Sequence, residues 1–462
     1  MATAVVNIFV HAVLYILKYI NYLFYRTTIP ETGSVVKTLL HQLFGTDKLK
    51  KLEYLCQFYH KYGLYRYEGK IYLFEERIAQ TAINKLDKGA DNYLEDSPLK
   101  DTFLGSSQKS PETRRAIASI FRKTSIDEGG HIMIRDLDLL CQNIREVSSG
   151  SRPVNITQFS LRLALDVVGH VLLHLDLGGL KGRQDRLLEA MTTILHRCYA
   201  LAEITSNSTE FIQAAENLDS LTSQILEDAL NEDDQTREDK RLVVQLHEAC
   251  GFEQAKDNMK LFLMAGTETT ASTLPVVFYL LTKYPHLQME LQAEADENMD
   301  NLRKDPNFPL PKIESVMKEV LRLYPIAPFI SRQNNGPITI GNVNLQEHSD
   351  IVVFTWGIHR SPQAWSHSTE FIPFRFYENE SKKSTSNLYI PFGAGSRVCI
   401  GQHIAWLEIR LAIAILLNNF DFSHVEETPD LRFVVDWTHA VVHPDKDMVF
   451  RAVPRTTAGI TI

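Results

Sequence analysis

The sequence predicts a mainly α-helical protein with small β-sheets, and three observations carry that prediction. Long apolar patterns of helical period dominate the chain from about residue 159 to 420. Strand-like stretches are few and short. No internal repeat, low-complexity tract or Gly/Ser/Pro-rich linker divides the 462 residues, so one large domain, 26–462, is expected behind a distinct N-terminal segment. Composition agrees: 44% hydrophobic and 23% charged residues are ordinary for a globular chain and exclude disorder, collagen-like repeats and coiled coil. A net charge of −9 leaves no basic excess to neutralise phosphates, so nucleic acid is not an expected partner.

In chain order, residues 2–24 are mostly apolar and end before Arg26 and the Pro30-Glu31-Thr32-Gly33 break. At about 1.5 Å per residue such a helix can cross a hydrocarbon core of about 30 Å. Asn7, His11, Lys18 and Asn21 interrupt it along one polar seam. Three readings are open: a membrane-spanning anchor over 1–25 with Lys18 snorkelling, a helix lying in the interface, or an amphipathic helix docked on its own domain. No basic n-region precedes the run and no arginine precedes Arg26, which speaks against a cleaved signal and a mitochondrial presequence. A strand pair is expected within 64–74, turning at Glu68-Gly69. Helices are expected over 161–175, 185–202, 210–230, 257–283, 310–323 and 404–419. Strands are expected over 338–343, 350–355 and 448–453. Pro275 predicts a lost hydrogen bond and a kink in the fourth helix.

The five cysteines (Cys56, Cys141, Cys198, Cys250, Cys399) are odd in number and widely spaced, with no CxxC pair. That pattern opposes a disulfide framework or a zinc site and favours a reducing compartment. Cys399 stands apart. It lies in Pro391-Phe392-Gly393-Ala394-Gly395-Ser396-Arg397-Val398-Cys399-Ile400-Gly401, a glycine-rich loop opening an apolar helix. A helix entrance offers free N–H groups and the positive dipole end, which favour a thiolate. Arg397, two residues away, suits a carboxylate of a bound cofactor. A lone cysteine is most simply a small buried hydrophobe. That reading does not account for Phe392, Gly395, Arg397 and Gly401 at these spacings.

The loop resembles the haem-binding FxxGxRxCxG motif of the cytochrome P450 family, matched at every fixed position. Two further motifs follow the family order. Glu319-Val320-Leu321-Arg322 resembles the ExxR pair, with Arg375 in Phe371-Ile372-Pro373-Phe374-Arg375 as its partner. Ala265-Gly266-Thr267-Glu268-Thr269 resembles the oxygen-activating (A/G)GxxT motif. An isolated ExxR would be a surface ion pair and a polar run on a helix a solvated patch, but both segments sit among apolar residues.

The resemblance implies a P450-like fold with haem b held between two long helices. It implies Cys399 as axial iron ligand, and Phe392, Arg397, Gly401, Arg332, Arg114, Ala265 and Gly266 around the cofactor. Thr269 and Glu268 would deliver protons for O–O cleavage, Gly266 would let the helix pass close over the macrocycle, and Glu319, Arg322 and Arg375 would form a structural network. Arg114 takes the place of the arginine in the family's WxxxR, with Ser110 where the tryptophan would be. His359 is a second candidate for a propionate. Tyr93, Leu94, Phe103 and Leu104 are candidate pocket residues, and 175–210 is short for the helix pair that roofs the family's substrate channel.

The implied activity is monooxygenation: O₂ activated to hydroxylate or epoxidise an apolar small molecule such as a lipid, steroid, fatty acid, terpene or xenobiotic. Electrons would come from NADPH through a redox partner. Lys382, Lys383, Arg397 and Arg410 are candidates for its docking patch. Gln402-His403 after the CxG, and Glu314 with Lys318 before the ExxR, differ from the basic pairs of mitochondrial relatives. Together with the anchor this points to a diflavin reductase at the endoplasmic reticulum membrane, the catalytic domain facing the cytosol, with peripheral attachment as the alternative. Other readings are a haem-thiolate isomerase or dehydratase working without reductant and a non-catalytic haem sensor. Retention of Thr269 and Glu268 favours the monooxygenase.

Overall fold

The computed structural model describes residues 64–67, 70–73, 79, 81–83, 86, 117, 121, 123–150, 152–199, 209–231, 241–334, 336–340, 343–377, 388–436 and 441–455. The anchor over 1–25, Arg114, the pocket candidates at 93, 94, 103 and 104, and Lys382 and Lys383 lie outside them. As expected, helices dominate and the sheets are small. The chain divides into two compact units.

The smaller unit takes in 1–89, 327–369 and 384–397. The early pair forms as β1 (Leu64–Tyr67) and β2 (Lys70–Leu73), antiparallel with Tyr67 opposite Lys70. With β4 (Ile330–Gln333) and β7 (Asp350–Val353) they make a sheet of order β1-β2-β7-β4, in which only β2 and β7 run parallel. Apolar residues Ile71, Leu73, Ile351, Val352 and Val353 bury it. The single strand expected over 338–343 is a hairpin instead, β5 (Ile338–Ile340) against β6 (Val343–Leu345). A short helix, Thr355–Ile358, follows β7.

The larger unit takes in 90–326, 370–383 and 398–462. Its helices are α1 (Lys123–Ser149), α2 (Ile156–Val167), α3 (Asp185–Tyr199), α4 (Thr209–Asn231), α5 (Arg241–Lys283), α6 (Pro285–Lys304) and α7 (Pro311–Leu323). The Thr355–Ile358 helix is α8, and α9 (Gln402–Asn419) closes the list. α5 is the hub: α2, α4, α6, α7 and α9 all pack on it. Its long apolar stretch satisfies neighbours on every side, as a helix buried all round must. β3 (Val154–Asn155), β8 (Phe420–Ser423) and β11 (Val449–Pro454) form one sheet, and β9 (Phe433–Asp436) pairs with β10 (Val441–Pro444).

Local chemistry sets the boundaries. Asn155 caps α2, its side chain accepting the Gln158 N–H at 3.1 Å. Proline opens α6 and α7 at the position where its missing N–H costs nothing. α2 runs on into a π-turn, Val168–Leu173, that ends at His174 with φ 56°. The break in α5 falls at Gly251 (φ 76°, ψ 173°), a conformation glycine tolerates. Pro275 leaves no non-helical residue, so the expected kink is replaced by this earlier break. The two helices over 175–231 do pair, α3 packing on α4.

Candidate active site

α5 carries the first part of the site. Over 258–281 every residue is buried except Ala265, Gly266 and Thr269, which share one face. At that opening the Thr269 hydroxyl donates to the Ala265 carbonyl at 2.7 Å, and one turn on the Thr273 hydroxyl donates to the Thr269 carbonyl at 3.3 Å. Such back-bonding competes with the helix ladder. It also leaves the lone pairs of the Thr269 oxygen as acceptors. Glu268 is buried beside it at 9% exposure.

Gly266 packs closely against the π-turn. A Cβ there would stand 2.5 Å from Cγ2 of Val168 in the π-turn. The missing side chain is therefore required by helix packing within the protein.

Cys399 lies just before α9 and its side chain is exposed. Gly401 is the residue before the helix, and a Cβ on it would sit 3.9 Å from Sγ. α9 packs on α5 within the same unit. Cys141, by contrast, is buried in α1, where burial pushes its thiol up to about 12 and keeps it inert. Glycines turn the loop sharply before the cysteine, with φ 74° at Gly393 and 72° at Gly395. Phe392 and Arg397 are half-buried there.

In the smaller unit, Arg332 on β4 is 3% exposed and its Nη1 donates to the Ser331 carbonyl at 2.9 Å. His359 is fully buried and its Nε2 accepts the Ile390 N–H at 3.0 Å. That bond uses the histidine to anchor the chain entering the cysteine loop.

The ion network forms as expected from the three charges. Glu319 and Arg322 are both fully buried and pair through two bonds of 2.8 Å. Arg375 Nε reaches both Glu319 oxygens at 3.1 Å, and the Ile372 N–H donates to Oε1 at 2.9 Å. Arg322 also donates to the Glu370 carbonyl at 3.0 Å. One carboxylate thus ties α7 to the 370–376 segment with its lone pairs fully used.

Two features escaped the sequence reading. Arg410, taken as part of a docking patch, is 6% exposed on α9 and bonds Glu314 (3.1 Å) and the Asn307 carbonyl (3.3 Å). A guanidinium used internally in this way does not serve a surface patch. Glu408, one helix position before a buried Ile409, is 2% exposed, and its Oε1 has no hydrogen-bond partner. Burial, reinforced by the Asp136 carboxylate on α1, pushes Glu408 up to about 8.

The donor chemistry fits an iron porphyrin. The thiol is accessible at the entrance of α9, and a notch opens on α5, on which α9 packs. Such a fold and site belong to the haem-thiolate enzymes. Comparison with known proteins agrees: a family model, Cytochrome P450, matches residues 76–450. Relatives include Cytochrome P450 3A16 of Mus musculus, 25% identical over 438 residues and covering 86% of each chain. Cytochrome P450 3A6 of Oryctolagus cuniculus is 26% identical over 370 residues, 74% of this chain and 73% of its own. The chain belongs to the cytochrome P450 family. It is accordingly an oxidoreductase, a haem-thiolate monooxygenase that uses O₂, a small-molecule substrate and electrons from a redox partner.

Proposed function

We propose that this protein hydroxylates or epoxidises an apolar small molecule (a lipid, steroid, fatty acid, terpene or xenobiotic) with haem bound between α5 and α9. Cys399 holds the iron. The family resemblance supports Phe392, Arg397, Gly401, Arg332, Arg114, Ala265 and Gly266 as cofactor residues, with the arginines suited to its carboxylates. The haem, when bound, supplies O₂ reduction and cleavage, which a thiolate ligand favours.

The chain's own residues then divide the work. Cys399, at the entrance of α9, presents an exposed sulfur for ligation. Thr269 holds its proton on the Ala265 carbonyl and turns its oxygen lone pairs to the notch, where they accept a hydrogen bond from a water or a reacting group. Glu268 passes protons inward to that position. The apolar walls of α5 keep bulk water from the opening. Glu319, Arg322 and Arg375 keep the cysteine side of the fold rigid.

The observation that carries this reading is the single opening in a buried helix, placed at the threonine that bonds its own i−4 carbonyl. Retention of Thr269 and Glu268 favours monooxygenation over reductant-free isomerisation. We further assign the electron source to NADPH through a diflavin reductase, and the location to the endoplasmic reticulum membrane, held by residues 1–25 with 26–462 facing the cytosol. The departures from mitochondrial-type basic pairs at Gln402-His403, Glu314 and Lys318 support that assignment. Ile156–Leu173 and Leu242–Lys283 are long and apolar enough to span a bilayer, but they are mostly buried inside the fold.

The test is NADPH consumption with a diflavin reductase, tracked against product, on substrates first found by Soret shift. Thr269→Ala is expected to keep NADPH consumption and lose most product, the difference appearing as peroxide. Unchanged coupling contradicts the proton path.

A further inference from the structure

The opening on α5 and the helix after Cys399 are joined by a line of close packing that runs through the π-turn. Val168, its first residue, fills the place of the missing side chain of Gly266, where a Cβ would lie 2.5 Å from Cγ2. Val171 does the same on α1: a Cβ at Gly129 would lie 2.5 Å from its Cγ1. The adjacent Gly130 faces Pro306 and Leu407, whose nearest atoms would stand 2.5 and 3.4 Å from an added Cβ. Leu407 belongs to α9. So contacts too tight for one more methyl group join Gly266 to Val168, Gly129 to Val171 and Gly130 to Pro306, with Leu407 of α9 in ordinary contact beside Gly130.

The turn that carries both valines is held at two points. The Leu175 N–H donates to the Gly169 carbonyl at 2.8 Å and closes it. His170, between the valines, bonds Asp136 of α1 through Nδ1 at 2.8 Å. A π-turn widens a helix by one residue and is found chiefly where a helix serves a site. Here it brings two branched side chains to glycines on two different helices. Close-packed interiors transmit a displacement rather than absorb it.

We propose that Val168 is a positioning residue for the oxygen-side opening: seated against Gly266, it sets how near α5 lies to the π-turn and thereby the width of the notch at Ala265 and Thr269. This rests on the reading of that notch as the place where O₂ is handled. Gly266 adjoins Ala265 and precedes Thr269 by one turn, so a shift at the glycine seat reaches both atoms of the 2.7 Å bond.

The experiment uses the full-length, haem-loaded protein and carbon monoxide as the probe. The infrared C–O stretch of the reduced complex reports the surroundings of the ligand on the α5 side, and flash photolysis gives the rebinding rate. Variants are Val168→Ala, Val168→Ile, Gly266→Ala and the double Gly266→Ala/Val168→Ala. Val168→Ala and Val168→Ile are expected to displace the C–O band in opposite directions and to change rebinding several-fold, while the thiolate-type Soret band stays in place. Gly266→Ala is expected to lose haem or show a displaced band, and the double variant to recover most of the wild-type band. If the two Val168 variants lower the melting temperature but leave band and rebinding unchanged, the positioning role is overturned and Val168 is plain core. If the wild-type protein forms no carbon monoxide complex, the haem-thiolate reading falls and takes the proposal with it.

Discussion

Two buried charge clusters in the larger unit are built on opposite plans. Around Glu319, one carboxylate faces two guanidinium groups, and its oxygens take bonds from Arg322, Arg375 and the Ile372 N–H. Around His170, the buried charges are mostly acids. Asp136 (3% exposed), Asp166 (2%) and Glu408 (2%) crowd the region, with Asp176 at the rim. His170 answers Asp136, and the Gly179 and Leu180 N–H groups answer Asp166 at 2.6 and 2.9 Å. Glu408 is left to stay protonated. The first cluster is held by ion pairs, one carboxylate between two guanidinium groups. The second is balanced by protons and depends on pH.

The largest expected effect comes from breaking the Glu319 cluster. Glu319→Gln leaves two guanidinium groups facing each other inside the fold, and removing one partner of a buried ion pair costs about 3–5 kcal/mol. Chemical denaturation should show a loss of that size, together with loss of haem on purification. A change within error would mean the network carries little of the stability.

The next effect sharpens the contrast. Glu408 titrates near the ordinary 4.5 when unfolded and near 8 when folded. Between those values the unfolded state has released a proton that the folded state keeps, so stability falls as pH rises through this window. The slope has a ceiling of about 1.4 kcal/mol per pH unit from this group. Melting temperature should therefore decline from pH 5 to 8.5, and Glu408→Gln should flatten much of the decline. A wild-type curve already flat over that range would refute a neutral Glu408.

His170 acts in the same direction with a smaller weight. The Asp136 hydrogen bond raises it, against the effect of burial, with Asp136 and Asp166 charges helping and Arg135 opposing. Asp176 also faces its Nε2 at 3.5 Å. A raised imidazolium contributes stability fully present below the unfolded value, near 6.5, and lost as pH rises through the folded one. Measuring the histidine titration by NMR should place it above 6.5 in the wild type, and Asp136→Asn should bring it down. An unmoved titration would remove the pair from the account.

The comparison also explains what could be read from the residues alone. Glu319, Arg322 and Arg375 announce themselves through local spacing and their place among the motifs, and the helices at 185, 210, 310 and 404 through clean apolar periodicity. The acid-rich cluster draws on α1, the π-turn and α9, far apart in the chain, and no local pattern marks it. α1 itself is hidden by its Gly129-Gly130 pair, which reads as a break but serves as a seat for Val171 and Pro306. α6 was hidden because Gln288 and Gln292 occupy buried positions, donating to the Phe422 and Phe420 carbonyls of β8, and so interrupt its apolar stripe. Arg410 misled for the converse reason: a cation on a helix reads as surface until Glu314 and two carbonyls are seen to enclose it. The haem loop was legible because its residue types sit next to one another; the neighbour of Gly266 was not, because Val168 lies nearly a hundred positions earlier.

The bond between the Cys399 sulfur and iron is the claim on which the functional account stands, and the reduced carbon monoxide difference spectrum measures it directly. The wild-type protein should show the red-shifted Soret band of a thiolate-ligated haem, and Cys399→Ser should abolish that band while Cys141→Ser keeps it. A thiolate-type band that survives in Cys399→Ser would contradict the assignment.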